Sequence, residues 1–303
     1  MSFAAYLGKL KSYMMPITMT IGICFYFFFQ RFSFLTPYLI FVMLFITYCN
    51  IELKDLKLKK MHLWLLLIQI VGSIGVYFVL SFIDQAIGEG AMICVLAPTA
   101  TSAVVITGML GGNTASLTAY SLISNISVAI CAPIIFALIG NAQGDVSFID
   151  ATLRIGKNVV ILLLFPFILA ILFRKCASPL HRKVQKAQSV SFYLWNIALL
   201  LVSAQIVQFI VDEQKKDVDF LIEVYIALAS LVVCCLQFIL GKTIGSRYND
   251  RIAAGQGLGQ KNTILAIWMA QTYLNPISTI GPGAYVLWQN IINSYQVWKK
   301  RKG

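Results

Sequence analysis

Long apolar runs alternate with short polar segments along the whole chain. Each run approaches or exceeds the ~20 residues that a helix needs to cross ~30 Å of hydrocarbon. Reading in order, spans one to five cover about Met14–Phe29, Phe34–Cys49, His62–Phe82, Ala86–Leu110 and Thr114–Gly140. Spans six to ten cover about Ile155–Phe173, Ser191–Val211, Phe220–Leu240, Arg251–Leu274 and Ile280–Trp298. The first follows Lys9 and Lys11 as a secretory leader would. No small-x-small cleavage site follows it and apolar spans continue, so it reads as a retained helix. The pattern predicts an all-α integral membrane protein of ten transmembrane helices.

Composition agrees with the pattern. Hydrophobic residues make up 59% of the 303 positions, mean hydropathy is +0.79, and only 12% of residues are charged, against about 25% in soluble domains. A net charge of +12 would suit a nucleic-acid binder, but the basic residues sit in short loops between spans. That placement is the topology pattern of membrane proteins, so the partners expected are the lipid bilayer and a small solute, with no nucleic acid. Of the 24 Lys and Arg, only Arg31, Arg154, Lys157, Lys215 and Lys216 fall in alternate loops. Both termini are therefore expected in the cytoplasm, in a plasma (inner) membrane. The basic loops Glu52–Lys60 and Arg174–Lys186 read as topology determinants. The seven cysteines lack metal-ligand spacing, and neither a disulfide framework nor a cofactor is expected.

Two spans are interrupted. Span four carries Ala97-Pro98-Thr99-Ala100-Thr101-Ser102, and span nine carries Gly255-Gln256-Gly257-Leu258-Gly259-Gln260-Lys261-Asn262-Thr263. Each break falls in the fourth of five spans. Residues 1–140 and 141–303 thus read as two five-helix repeats, and an odd number of spans makes the second repeat inverted. Paired broken helices are the sequence pointer to a transporter binding site. The candidate substrate-binding residues are Thr99, Thr101, Ser102, Gln256, Gln260, Lys261, Asn262, Thr263 and, on span ten, Asn290. Ser121, Ser124 and Asn125 share one face of span five. Trp288, Tyr295 and Trp298 read as interfacial anchors.

Lys261 reads as the only charge at bilayer depth, where it costs at least ~2.5–3.5 kcal/mol on insertion scales. The spans are read as holding no Asp and no Glu beyond the edge residue Glu223, and no buried His. General acid–base or metal chemistry would lack its residues, so no enzyme is expected. A channel would need a continuous polar lining or charged rings.

The chain resembles the bile acid:sodium symporter family. The likeness is carried by Met43-Leu44-Phe45 with Leu53-Lys54-Asp55-Leu56, Ile68-Gln69-Ile70, Gly90-Ala91-Met92 leading into the first break, Gly112-Asn113, and Pro282-Gly283-Ala284 with Trp288, Asn290 and Ile291. It implies a panel part (spans 1, 2, 6, 7) and a core part (spans 3–5, 8–10) in which spans 4 and 9 cross. It also implies a secondary transporter of organic anions. The family's sodium ligands fall here on Ala103, Val104, Leu117, Ser121, Gln256, Gln69 and Gln260. Three of these are apolar and none is a carboxylate, whereas hard cations select hard oxygen ligands. Lys261 falls where the family commonly has Asn. The expectation is that its ammonium replaces the coupling cation and pairs with an anionic substrate. Gln69, Ser121, Gln256, Gln260 and Lys261 are the ion-coupling candidates. Na+ remains a candidate coupling ion beside H+, since a buried ammonium can shed its charge by releasing a proton.

Overall fold

A computed structural model describes residues 14, 17–50, 57–140, 148–186, 188–214 and 220–302. Lys9, Lys11, most of the Glu52–Lys60 loop with its Leu53–Leu56 match, Asn141–Ser147 and Lys215–Asp219 lie outside the described residues. The described chain is helical with no strand. The principal helices are α1 (Thr36–Cys49), α2 (Lys60–Ser81), α3 (Gln85–Leu96), α4 (Ser102–Leu110), α5 (Thr114–Gly140), α6 (Phe148–Leu163) and α7 (Phe165–Cys176). They continue as α8 (Ser178–Lys186), α9 (Gln188–Gln214), α10 (Phe220–Ser246), α11 (Arg251–Gly259), α12 (Thr263–Tyr273) and α13 (Ile280–Lys302). Among the described residues, five segments are long and apolar enough to cross a membrane: Tyr26–Cys49, Lys60–Ser81, Thr114–Ile139, Phe148–Cys176 and Phe220–Ser246. The turn expected between spans one and two is instead a 3-10 helix, Gln30–Leu35, that leads directly into α1.

The described residues form two compact units. One comprises Met1–Asn50 and Pro166–Val218, the other Ile51–Phe165 and Asp219–Gly303. In the first, Thr18 on the N-terminal helical stretch donates to Asn196 of α9, and Gln185 of α8 donates to the carbonyl of Cys49.

The second unit holds both broken spans. At 1.5 Å per residue α3 is ~18 Å long and α4 ~14 Å, so neither half-helix crosses a bilayer alone but the pair does. Pro98 ends the first half: a residue before proline is driven out of the helical region, and Ala97 is extended at ψ 139°. Asp84 caps α3 at its start by accepting the N–H groups of Ala86 and Ile87. Gly111, in the left-handed region at φ 79°, ends α4.

In the second break the glycines do not interrupt the helix, as the sequence suggested. Helix α11 runs through Gly255 and Gly257 to Gly259, and the break is the three residues Gln260–Asn262. The glycines let neighbours come close instead. A Cβ on Gly257 would meet the Tyr120 ring at 2.7 Å, and one on Gly259 the Phe238 ring at 2.5 Å.

Each half-helix that enters a break packs on its own half of the chain and also on helices of the other half. Ala253, Ala254 and Leu258 of α11 pack with Met61 and Leu65 of α2 and with Leu117 and Tyr120 of α5. Reciprocally, Ala91, Cys94 and Val95 of α3 pack with Val233, Cys234 and Phe238 of α10 and with Tyr285 of α13. This exchange brings the two breaks together.

Candidate functional site

Breaking a helix frees main-chain groups that hydrocarbon cannot satisfy. Here the two breaks satisfy each other. Ala100 N–H donates to the Gln260 carbonyl at 2.9 Å, and Asn262 N–H to the Pro98 carbonyl at 2.8 Å. Thr99 and Lys261 thus face each other as an isolated antiparallel β-bridge. The C-terminal ends of α3 and α11 and the N-terminal ends of α4 and α12 flank this bridge.

The two central side chains reach across in matching fashion. The Thr99 hydroxyl donates to the Gly257 carbonyl at 2.7 Å. The Lys261 ammonium donates to the Val95 carbonyl at 2.7 Å and the Ala97 carbonyl at 3.0 Å. Val95 precedes Thr99 by the same interval as Gly257 precedes Lys261. Lys261 is 1% exposed, and its charge sits at a helix C-terminus, the end that favours cations.

A shell of side chains holds this bridge. Gln69 of α2 donates its amide to the Leu96 and Ala97 carbonyls at 2.9 and 3.1 Å. Its oxygen accepts from the Tyr120 and Ser124 hydroxyls, both at 2.9 Å. Ser124 in turn accepts from Thr99 N–H. On the opposite side Gln289 accepts from Lys261 N–H at 2.8 Å. Tyr285 donates to the Gly259 carbonyl at 2.9 Å and accepts from Gln237, whose amide also donates to the Cys94 carbonyl. Gln256 donates to Asn293, Asn293 to Gln260, and Gln260 to the Ser102 hydroxyl.

The structure therefore brings together Thr99, Ser102, Gln69, Gln256, Gln260 and Lys261. Asn262 caps α12 by accepting from Leu265 N–H. Thr101 and Thr263 adjoin the breaks, but neither makes a side-chain hydrogen bond among the described residues. Asn290 instead donates within its own helix, to the Val286 carbonyl. Ser121 offers its main-chain carbonyl to Asn125. Trp288, expected at the interface, donates inward to Ser230 and the Ala227 carbonyl.

Glu89 corrects the reading of the spans as free of carboxylates. It lies in α3, is 2% exposed, and accepts from Gln85 and from Asn275 N–H. His62 is buried as well, between Lys59 N–H and the Ser116 hydroxyl. Sequence reasoning also missed Tyr120, Gln237 and Tyr285. Gln237 could have been found as an amide stranded in an apolar span, as Gln69 is. The tyrosines carried no signal, since aromatic residues are common in the spans that hold them.

No group of three or more His, Cys, Asp or Glu with metal-binding geometry occurs among the described residues. The arrangement can present main-chain dipoles, amides, hydroxyls and one ammonium. It offers no nucleophile–base pair among the described residues.

No curated protein matches the chain. A family model does, over residues 7–287, nearly the whole length. That family is one of transporters, not of enzymes. The chain belongs to the SBF-like CPA transporter family, which is related to the bile acid:sodium symporters.

Proposed function

We propose that the protein is a secondary active transporter of an organic anion, working by alternating access, in which Lys261 stands in for the coupling cation. The observation that carries this is the seat of its ammonium. It is buried, held by two main-chain carbonyls at the C-terminus of α3, and makes no ion pair among the described residues. Carbonyl oxygens at a helix end are what a bound cation would use, so the side chain supplies from within what a coupling ion supplies from solution. Its positive charge, with the N-termini of α4 and α12, favours an anion at the bridge.

The proposed frame is ten spans in two inverted five-helix repeats, in a plasma (inner) membrane with both termini cytoplasmic. The reciprocal packing of α3 and α11 supports the repeat. The proposed panel is spans 1, 2, 6 and 7 and the core spans 3–5 and 8–10; the discontinuous make-up of the two units supports this for every span but the sixth, which the boundary at Phe165 and Pro166 divides. A sodium symporter of the ordinary family type is the second reading. It rests on the Gln256 side-chain oxygen, a buried acceptor with no donor among the described residues, where the family has its carboxylate.

The test is a thermal-shift screen of the purified protein against organic anions, with and without Na+, followed by uptake in proteoliposomes. The expected result is sodium-independent stabilisation by an anion, lost together with uptake in Lys261→Met. Equal binding and uptake by Lys261→Met would remove Lys261 from the mechanism. Stabilisation that requires Na+ would favour the second reading.

A further inference from the structure

Helix α8 is unlike the others. Its preceding helix, α7, ends the span Phe148–Cys176, and α8 starts two residues later, at Ser178. Gln185, near its far end, donates to the carbonyl of Cys49 at 3.0 Å. Cys49 is the last residue of another candidate span, Tyr26–Cys49. His181, one turn before Gln185 on the same face, is buried as well. Burial and the nearby Arg174 guanidinium hold His181 below the ordinary histidine range. Helix α8 is thus pinned by one face where two spans end, which is the level of lipid headgroups.

The opposite face is basic. Lys175, at the end of α7, and Arg182 and Lys183 of α8 are exposed. Leu180, also exposed at 47%, provides an apolar side chain at the same level. No Asp or Glu occurs between Asp150 and Asp212, so no acid of this stretch neutralises the cluster. A short helix with basic residues outward and an apolar side chain at the boundary has the chemistry of an interfacial helix. Anionic headgroups attract such residues near the surface.

We propose that Lys175, Arg182 and Lys183 form a docking surface for anionic phospholipid headgroups, with α8 lying in the headgroup layer. The experiment compares full-length wild type with Lys175→Gln/Arg182→Gln/Lys183→Gln. A control, Lys299→Gln/Lys300→Gln, removes two basic residues from α13. Each is melted in phosphatidylcholine nanodiscs and in nanodiscs where phosphatidylglycerol replaces part of the phosphatidylcholine. A further arm adds inorganic phosphate to phosphatidylcholine nanodiscs. The wild type and the control are expected to melt higher with phosphatidylglycerol, and the triple variant to lose more than half of that rise. Phosphate alone is expected to leave the wild type unchanged. An equal rise in the triple variant, no rise in the wild type, or the same rise from phosphate alone would each overturn the proposal. Should the triple variant fail to fold, the single variants Arg182→Gln and Lys183→Gln are read the same way, each expected to lose part of the rise.

Discussion

The two breaks share a plan but are closed by different chemistry. At the first, a proline ends the incoming helix, and its terminal carbonyls meet the Gln69 amide and the Lys261 ammonium. At the second, the incoming helix ends at a glycine, and its carbonyls meet two hydroxyls, of Tyr285 and Thr99. One helix end therefore receives an amine that can carry a full charge, where its counterpart receives only hydroxyls. The site thus carries an asymmetry. It sits in the caps, while the main-chain bridge between the breaks is the same in both directions.

Deleting the shell tests that contrast most strongly at Gln69. Gln69→Leu strands the Leu96 carbonyl and removes the acceptor of two hydroxyls, so about 3 kcal/mol of stability should be lost at the usual cost of unsatisfied buried groups. Gln237→Leu should cost about half as much, because the Gln237 oxygen already lacks a donor. Denaturant unfolding in micelles would measure both, and equal losses would mean that the two glutamines do the same work. An effect between these two is expected at the glycine. Gly259→Ala drives a methyl group into the Phe238 ring, an overpacking worth about 2 kcal/mol. Ala97, its counterpart at the first break, already carries a Cβ. A melting temperature unmoved by Gly259→Ala would show that the ring yields freely.

Tyr285→Phe removes the donor to the Gly259 carbonyl and is expected to cost about 1–2 kcal/mol. Tyr120→Phe should cost about 0.5–1 kcal/mol, because Gln69 keeps Ser124 as a donor. Reversal of that order in thermal unfolding would undo the assignment of caps. Smallest of all, Asn290→Ala should change stability by no more than about 0.5 kcal/mol, as for surface-like sites away from any network. It should also leave anion-induced thermal stabilisation unchanged. Loss of that stabilisation would return Asn290 to the site.

Much of this was legible in the sequence. Apolar length marked the spans, and Pro98 marked the first break because a missing N–H and a steric bar act locally. The amides and hydroxyls around Lys261 stood out because polar groups are costly in hydrocarbon. The second break falls later than the start of the Gly255–Thr263 interruption, since Gly255, Gly257 and Gly259 stay helical and serve close packing. Asn290 was assigned to the site although its amide bonds within its own helix turn. Glu89 was overlooked because it adjoins a span edge, and only tertiary structure shows it buried against Asn275. Tyr120 and Tyr285 become visible only once α3 and α11 have exchanged neighbours.

The bridge at Thr99 and Lys261 has a mechanical consequence. Its two amide–carbonyl bonds rivet the crossing point of two spans, so neither half-helix can swing without tearing a peptide pair in a medium with no replacement donor. Motion that exposes the crossing to one side and then the other must carry all four half-helices together. The amide protons of Ala100 and Asn262 should accordingly be among the last in the protein to exchange with deuterium.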